Sequence, residues 1–230
     1  HRSIEGSSVG PTALDNYAGV LFALARYDEA IPLYEETIRT ARDRNEPREQ
    51  FDAMMELADL YTEKGDPARA VAELAELEPF LERATFGLLR RAHLAYSRGL
   101  LALGRGDGAA ARALFEESVR DFDQWPAKIS LNVLAYDELS RAERSLGRAE
   151  AAESAARKGL ALAATFVEPG TPSYLTGLSL LELGETQLAR RQTGAARESL
   201  GSAATQLQQT LGAEQPETLR ALRLLKTAAS

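Results

Sequence analysis

One small residue recurs after every break in this chain. Ala30, Ala70, Ala111, Ala152 and Ala196 follow successive turns at intervals of 40, 41, 41 and 44 residues. The stretches around them read alike: ARYDEAI, GDPARAV, GDGAAARAL, GRAEAAESA and TGAARESL. A fixed period in this range marks a repeat in which each unit stacks on its neighbours. The last interval is longer because Val167–Pro172 (VEPGTP) inserts a loop.

Each period holds two helical segments. Met54, Leu57, Ala58 and Tyr61 fall at i, i+3, i+4 and i+7, one apolar helical face. Gly65-Asp66-Pro67 then interrupts the helix with a C-terminal cap, an N-cap and a first-position proline. Ala70, Val71, Leu74 and Leu77 begin the next face. Pro47, Pro126, Pro172 and Pro216 each precede a periodic segment, Pro32 falls early in its helix, and Pro79 predicts a kink or stop near Glu78. Two helices crossing closely need small side chains at the contact. Ala18, Ala58, Gly99, Ser140 and Gly184 occupy that place in the first helices, and the five alanines occupy it in the second.

Composition agrees with an all-α chain. Alanine, leucine, glutamate and arginine dominate, and all are strong helix formers. The absence of cysteine removes disulfides, thiol catalysis and cysteine zinc sites, and fits a cytoplasmic setting. The net charge of -7, with no basic block longer than a pair, argues against nucleic acid. No uncharged apolar run approaches the ~18 residues that span a bilayer.

These motifs resemble the tetratricopeptide repeat. Met54-x₂-Leu57-Ala58-x₂-Tyr61 with Ala70-x₃-Leu74 fits its pattern, as do Leu14-x₂-Tyr17-Ala18-x₂-Leu21 with Ala30-x₃-Tyr34, Ala111-x₃-Phe115, and Leu180-x₂-Leu183-Gly184. Two features depart from it. The period is near 41 rather than 34, and the fourth unit carries Ser140, Glu143 and Gly159 where the family prefers a small residue, an aromatic and an alanine. The long period and the tail LGAEQPETLRAL resemble the kinesin-light-chain-like branch. The resemblance implies a right-handed superhelical solenoid of about five hairpins over 11–212 and a C-terminal capping helix over 213–230. Residues 1–10 are expected to be the remnant of a preceding helix or an expression scar, because the chain begins HRSIEGSS without an initiator Met. The resemblance also implies a fragment of a larger bacterial signalling protein, a serine/threonine kinase or a transcriptional regulator.

In such an array the first helices line a concave face. Helical phase assigns to it, as exposed residues, Asp15, Asn16 and Phe22; Asp52, Met55, Glu56, Asp59 and Glu63; His93, Tyr96, Leu100 and Leu103; Asp137, Glu138, Arg141 and Arg144; and Leu181, Glu182, Glu185 and Leu188. The set is mostly acidic. It reads either as a groove for a basic or amphipathic protein or peptide, or as an ordinary solvated face. Asp15 and Gly19 stand where the family's clamp for a C-terminal carboxylate would begin, so chaperone-tail binding is not expected.

Other candidates carry two readings each. His93 beside Tyr96 is a pH-sensitive contact or a partly exposed helix residue. Arg141 and Arg144 share a face and either bind an anion or pair locally with Glu138 or Glu143. Trp125, near Asp121 and Asp123, anchors a partner or packs over the loop before Pro126. Gly104–Gly108 lacks the strand and the Lys-Ser/Thr of a phosphate loop and reads as a turn. No nucleophile–base set, metal site or cofactor motif is visible, so the expectation is a non-catalytic binding module, or else a peptide-responsive regulatory domain. The oligomeric state is open, and dimerisation through exposed ends is one outcome.

Overall fold

The computed structural model describes residues 11–77, 80 and 87–229. Among them are eleven α-helices and no strand. Helix packing divides the chain into two compact units, 1–86 and 87–230. The expected remnant at 1–10 lies outside the described residues.

The first unit holds two hairpins, α1 (Pro11–Ala23) with α2 (Tyr27–Asp43) and α3 (Pro47–Glu63) with α4 (Pro67–Glu76). Its core gathers Leu21, Tyr34, Phe51, Met54, Met55, Leu57 and Leu60, all nearly inaccessible. Pro32 sits one turn inside α2. α4 ends at Glu76, and Glu78 and Pro79, where a stop was expected, lie outside the described residues.

The second unit holds three hairpins and a last helix. They are α5 (Leu88–Gly104) with α6 (Gly108–Asp123), α7 (Ser130–Ser145) with α8 (Ala149–Ala163), and α9 (Tyr174–Ala189) with α10 (Thr193–Thr210), followed by α11 (Pro216–Ala229). Each helix packs on the next, and the first helices also touch in sequence, α5 on α7, α7 on α9 and α9 on α11.

The turns inside the hairpins are copies of one device. Ala25, Gly65, Gly106, Gly147 and Arg191 all take positive φ, between 55° and 80°. In each, the next residue's N–H reaches back five positions: Arg26 to Leu21, Asp66 to Tyr61, Asp107 to Ala102, Arg148 to Glu143 and Gln192 to Gln187, at 2.8–2.9 Å. That is the Schellman closure, which satisfies carbonyls left open at a helix end. Asp66 and Asp107 then cap the following helix by accepting from Arg69 N and Ala110 N.

The small residues sit at close approaches. The five second-helix alanines are fully inaccessible. A Cβ on Gly99 would stand 2.6 Å from the Phe115 ring, and one on Gly184 would stand 2.6 Å from Leu200. In each pair the large residue lies four positions beyond the repeated alanine, and the missing side chain makes room for it.

Candidate functional site

In the first unit, part of the expected face converges on a phenol. Tyr34 of α2 is fully buried. Burial, and then the carboxylates of Glu56, Asp15 and Asp59, push its pKa above the ordinary tyrosine range. Asn16 and Glu63 are exposed, while Asp15, Phe22, Asp52 and Glu56 are half-buried. The ring of Phe22 meets Tyr27 edge-on at 5.9 Å. Met55 and Asp59, expected on the surface, are buried. Helix α3 is packed by α1, α2 and α4, so more of its circumference is covered than a single amphipathic face allows.

The same correction applies in the second unit. Tyr96, Leu100, Asp137, Leu181 and Glu182 were expected to be exposed and are buried. α7 is packed by α5, α6, α8 and α9, and α9 by α7, α8, α10 and α11, so more of each helix is covered than a single amphipathic face allows. Tyr96 stacks at a tilt on Phe115, centroids 5.9 Å apart, and Leu100 joins the same core. His93 is half-buried, its ring 6.4 Å from that of Tyr96.

The charged residues of this unit form a network across three helices. Arg144 of α7 donates to Glu182 at 2.7 Å and to Glu185 at 2.6 Å, both on α9. Arg220 of α11 pairs with Glu185 at 2.7 Å and with Glu182 at 3.6 Å. Burial works against the Arg144 charge, and Glu182 followed by Glu185 more than offsets it, holding its pKa above the usual value. Ser140 Oγ lies 3.2 Å from Thr186 Oγ1, which accepts from Arg144 at 3.3 Å. The local pairing expected of Arg141 is present, with Glu138 at 3.3 Å. Arg144 instead reaches past Glu143 to the neighbouring hairpin, and Glu143 pairs with Arg148 at 3.7 Å.

Asp137 lies behind this network. Ser179 Oγ donates to its Oδ2 at 2.8 Å, while its Oδ1 has no partner among the described residues. A Cβ on Gly159 would stand 2.5 Å from that oxygen, so the glycine makes room for the carboxyl group. Burial pushes the Asp137 pKa well up; Ser179 opposes this, and Glu182 and Glu138 add to it. Three departures from the repeat pattern, Ser140, Glu143 and Gly159, are therefore where polar groups enter the fourth hairpin.

Beside the network opens a cleft of about 430 Å³, lined by Arg144, Glu185, Leu188, Arg220, Arg223 and Leu224 with Thr227. Arg220 and Arg223 are absent from the sequence-derived set because 213–230 reads there as a cap. The available signal was their spacing, three apart like Arg141 and Arg144. Arg223 is exposed and has no ion pair among the described residues. Trp125 is 36% exposed, and Asp123 beside it accepts from Asn132 Nδ2 at 3.1 Å and the Tyr136 hydroxyl at 2.6 Å. Gly104–Gly108 runs from the last residue of α5 through a three-residue turn to the first residue of α6. Among the described residues no group of three or more His, Asp or Glu is placed to hold a metal, and no helix is long and apolar enough to cross a membrane.

Residues 11–83 match the family model of the tetratricopeptide repeat. The fold is similar to the nearly identical TPR-like repeats of a Podosopora anserina kinesin light chain, with TM-score 0.59, 19% identity, and coverage of 86% of this chain and 95% of the other. It is also similar to a Rap protein complexed with competence and sporulation factor, with TM-score 0.62, 16% identity, and coverage of 95% of this chain and 63% of the other. A third likeness is to the apo quorum sensor NprR of B. thuringiensis, with TM-score 0.61, 16% identity, and coverage of 96% and 65%. Among curated proteins no sequence matches. Residues 11–83 thus match the tetratricopeptide repeat, and the fold of the chain is similar to that of tetratricopeptide-like repeat arrays.

Proposed function

We propose that this chain is a protein-interaction module that receives a partner's segment on the first helices of its second unit, and that the segment is acidic with apolar side chains. The observation that carries this reading is the charge balance at the α7–α9–α11 cleft. Asp137 and Glu182 are buried, and Glu185 is held by two arginines. The charge left over is Arg223, beside Leu188 and Leu224. A basic or amphipathic partner was the expectation from the mostly acidic face read from helical phase; internal pairing of the carboxylates favours the opposite sign.

Capture from a bacterial lysate tests this, with Arg223→Glu/Leu224→Asp as the comparison. The expected result is a protein retained by the wild type, released by the double variant, and contacting through an acidic stretch. Equal capture by both contradicts the placement of the site. Capture through a basic stretch contradicts the partner's chemistry.

A second reading is a regulatory domain whose superhelix changes when a peptide binds. Its support is the likeness to a Rap protein complexed with competence and sporulation factor and to the quorum sensor NprR. A change in small-angle scattering on adding a captured peptide favours this reading, and an unchanged profile favours a passive scaffold. In either case the module belongs to a larger cytoplasmic bacterial signalling protein, a serine/threonine kinase or a transcriptional regulator. It has no catalysis of its own, binds no nucleic acid and does not take chaperone tails.

A further inference from the structure

The second unit carries another cleft, at the opposite end of its helices from the hairpin turns. Those turns are short, whereas the connections between hairpins run over 124–129 and 164–173. In repeat proteins such insertions gather on one edge and commonly form a binding face. Here the two connections wall a cleft of about 530 Å³, within the size range of small-molecule sites. Its apolar wall is Ile129, Phe166, Val167 and Leu175, with Tyr174 at the rim, 38% exposed. Its polar lining is Lys128 with the hydroxyls of Ser130, Ser173 and Thr210, and Lys128 stands beside the start of α7, where the cap residue Ile129 offers no side-chain oxygen. No acidic residue lines it, although the chain carries 34.

We infer that this cleft is a second binding site, separate from the arginine cleft, and that it takes a free small organic acid with an apolar chain. The apolar body lies against Phe166, Val167 and Leu175. The carboxylate faces the Lys128 ammonium, and no acidic side chain lines the cleft to compete for it. The same groups disfavour an amine of equal size.

Trp125 gives a direct readout, because it is the chain's one tryptophan and sits three residues before Lys128 in the same connection. Octanoate and octylamine are titrated against the whole chain by tryptophan fluorescence and calorimetry, and repeated on Lys128→Glu, Val167→Asp and Arg223→Glu. The expected result is saturable octanoate binding that shifts Trp125, with octylamine weaker by about tenfold or more. Lys128→Glu and Val167→Asp each weaken octanoate by about tenfold, and Arg223→Glu leaves it unchanged. The inference is overturned by absence of saturable octanoate binding, by equal binding of octylamine, by an unaffected Lys128→Glu, or by loss in Arg223→Glu, which moves the acid to the other cleft.

Discussion

The third and fourth hairpins are neighbours that close the same helix crossing in different ways. In the third, Gly99 faces Phe115, and the ring fills the space a side chain would take. Tyr96, Leu100, Val119 and Phe122 complete an apolar core around it. In the fourth, the matching positions are Ser140 and Ala156, both small and fully inaccessible. Neither position carries a large side chain, and polar groups enter this hairpin. The Ser140 hydroxyl meets Thr186, Asp137 lies against Gly159, and Arg144 reaches Glu182 and Glu185. A hairpin that looks degenerate against the repeat pattern is tied to the next one by charge. Burying polar groups costs stability unless they are paired, so these departures belong together.

The largest effect is expected at the apolar crossing. Phe115→Ala removes the ring that Gly99 accommodates and should cost about 3–5 kcal/mol in denaturant unfolding. If the loss is nearly absent, the ring does not hold the third hairpin. The reciprocal change, Ala156→Phe, forces a large residue onto Ser140 and should cost about 1–3 kcal/mol, and Ala111→Phe and Ala70→Phe should do likewise at the repeated alanines. Tolerance of all three would mean these alanines do not sit at crossings.

Next comes the network. Arg144→Met leaves Glu182 and Glu185 sharing only Arg220, at an expected cost of about 1–3 kcal/mol. Changing Glu182→Gln in the same chain should recover part of it, because one unpaired charge is removed. Independent, additive losses would show that the charges do not act as a network.

Asp137 gives a pH dependence whose sign is set. Its pKa is raised in the folded chain, so as pH rises through the ordinary aspartate range the unfolded form ionises first. Wild-type stability therefore falls between that range and the raised folded value. Asp137→Asn lacks this slope, and its gain over wild type should grow as pH rises across the window. Thermal melts across pH read the difference, and parallel curves for the two proteins would mean that Asp137 is ionised in the fold. The smallest effect is at the turns. Arg191 holds a left-handed conformation that glycine holds at Gly147 and Gly106, so Arg191→Gly should stabilise by a few tenths of a kcal/mol, roughly 0.5.

The hairpins were legible in sequence because their causes are local. A turn residue, a cap and a small side chain recur within a few positions of one another, and the same hydrogen bonds follow each time. The groove was less legible. Helical phase separates one apolar face from the rest, but α5, α7 and α9 are covered on several sides, so Tyr96, Leu100, Asp137 and Glu182 went inside. The ion pairs join residues on different hairpins, as Arg144 with Glu182 or Arg220 with Glu185, and no local pattern announces them. What sequence did expose was the departures themselves. Ser140, Glu143 and Gly159 broke the repeat where the polar layer runs.

The most direct test is NMR mapping of a short Glu/Leu peptide and a matched Lys/Leu peptide on the wild type and on Arg223→Glu. The account predicts that the acidic peptide shifts amides of α7, α9 and α11 around Leu188 and Leu224. It also predicts that Arg223→Glu abolishes those shifts while the remaining spectrum stays that of the folded chain. Shifts elsewhere, equal response to the basic peptide, or an unaffected Arg223→Glu would contradict a recognition cleft built on this hairpin's polar layer.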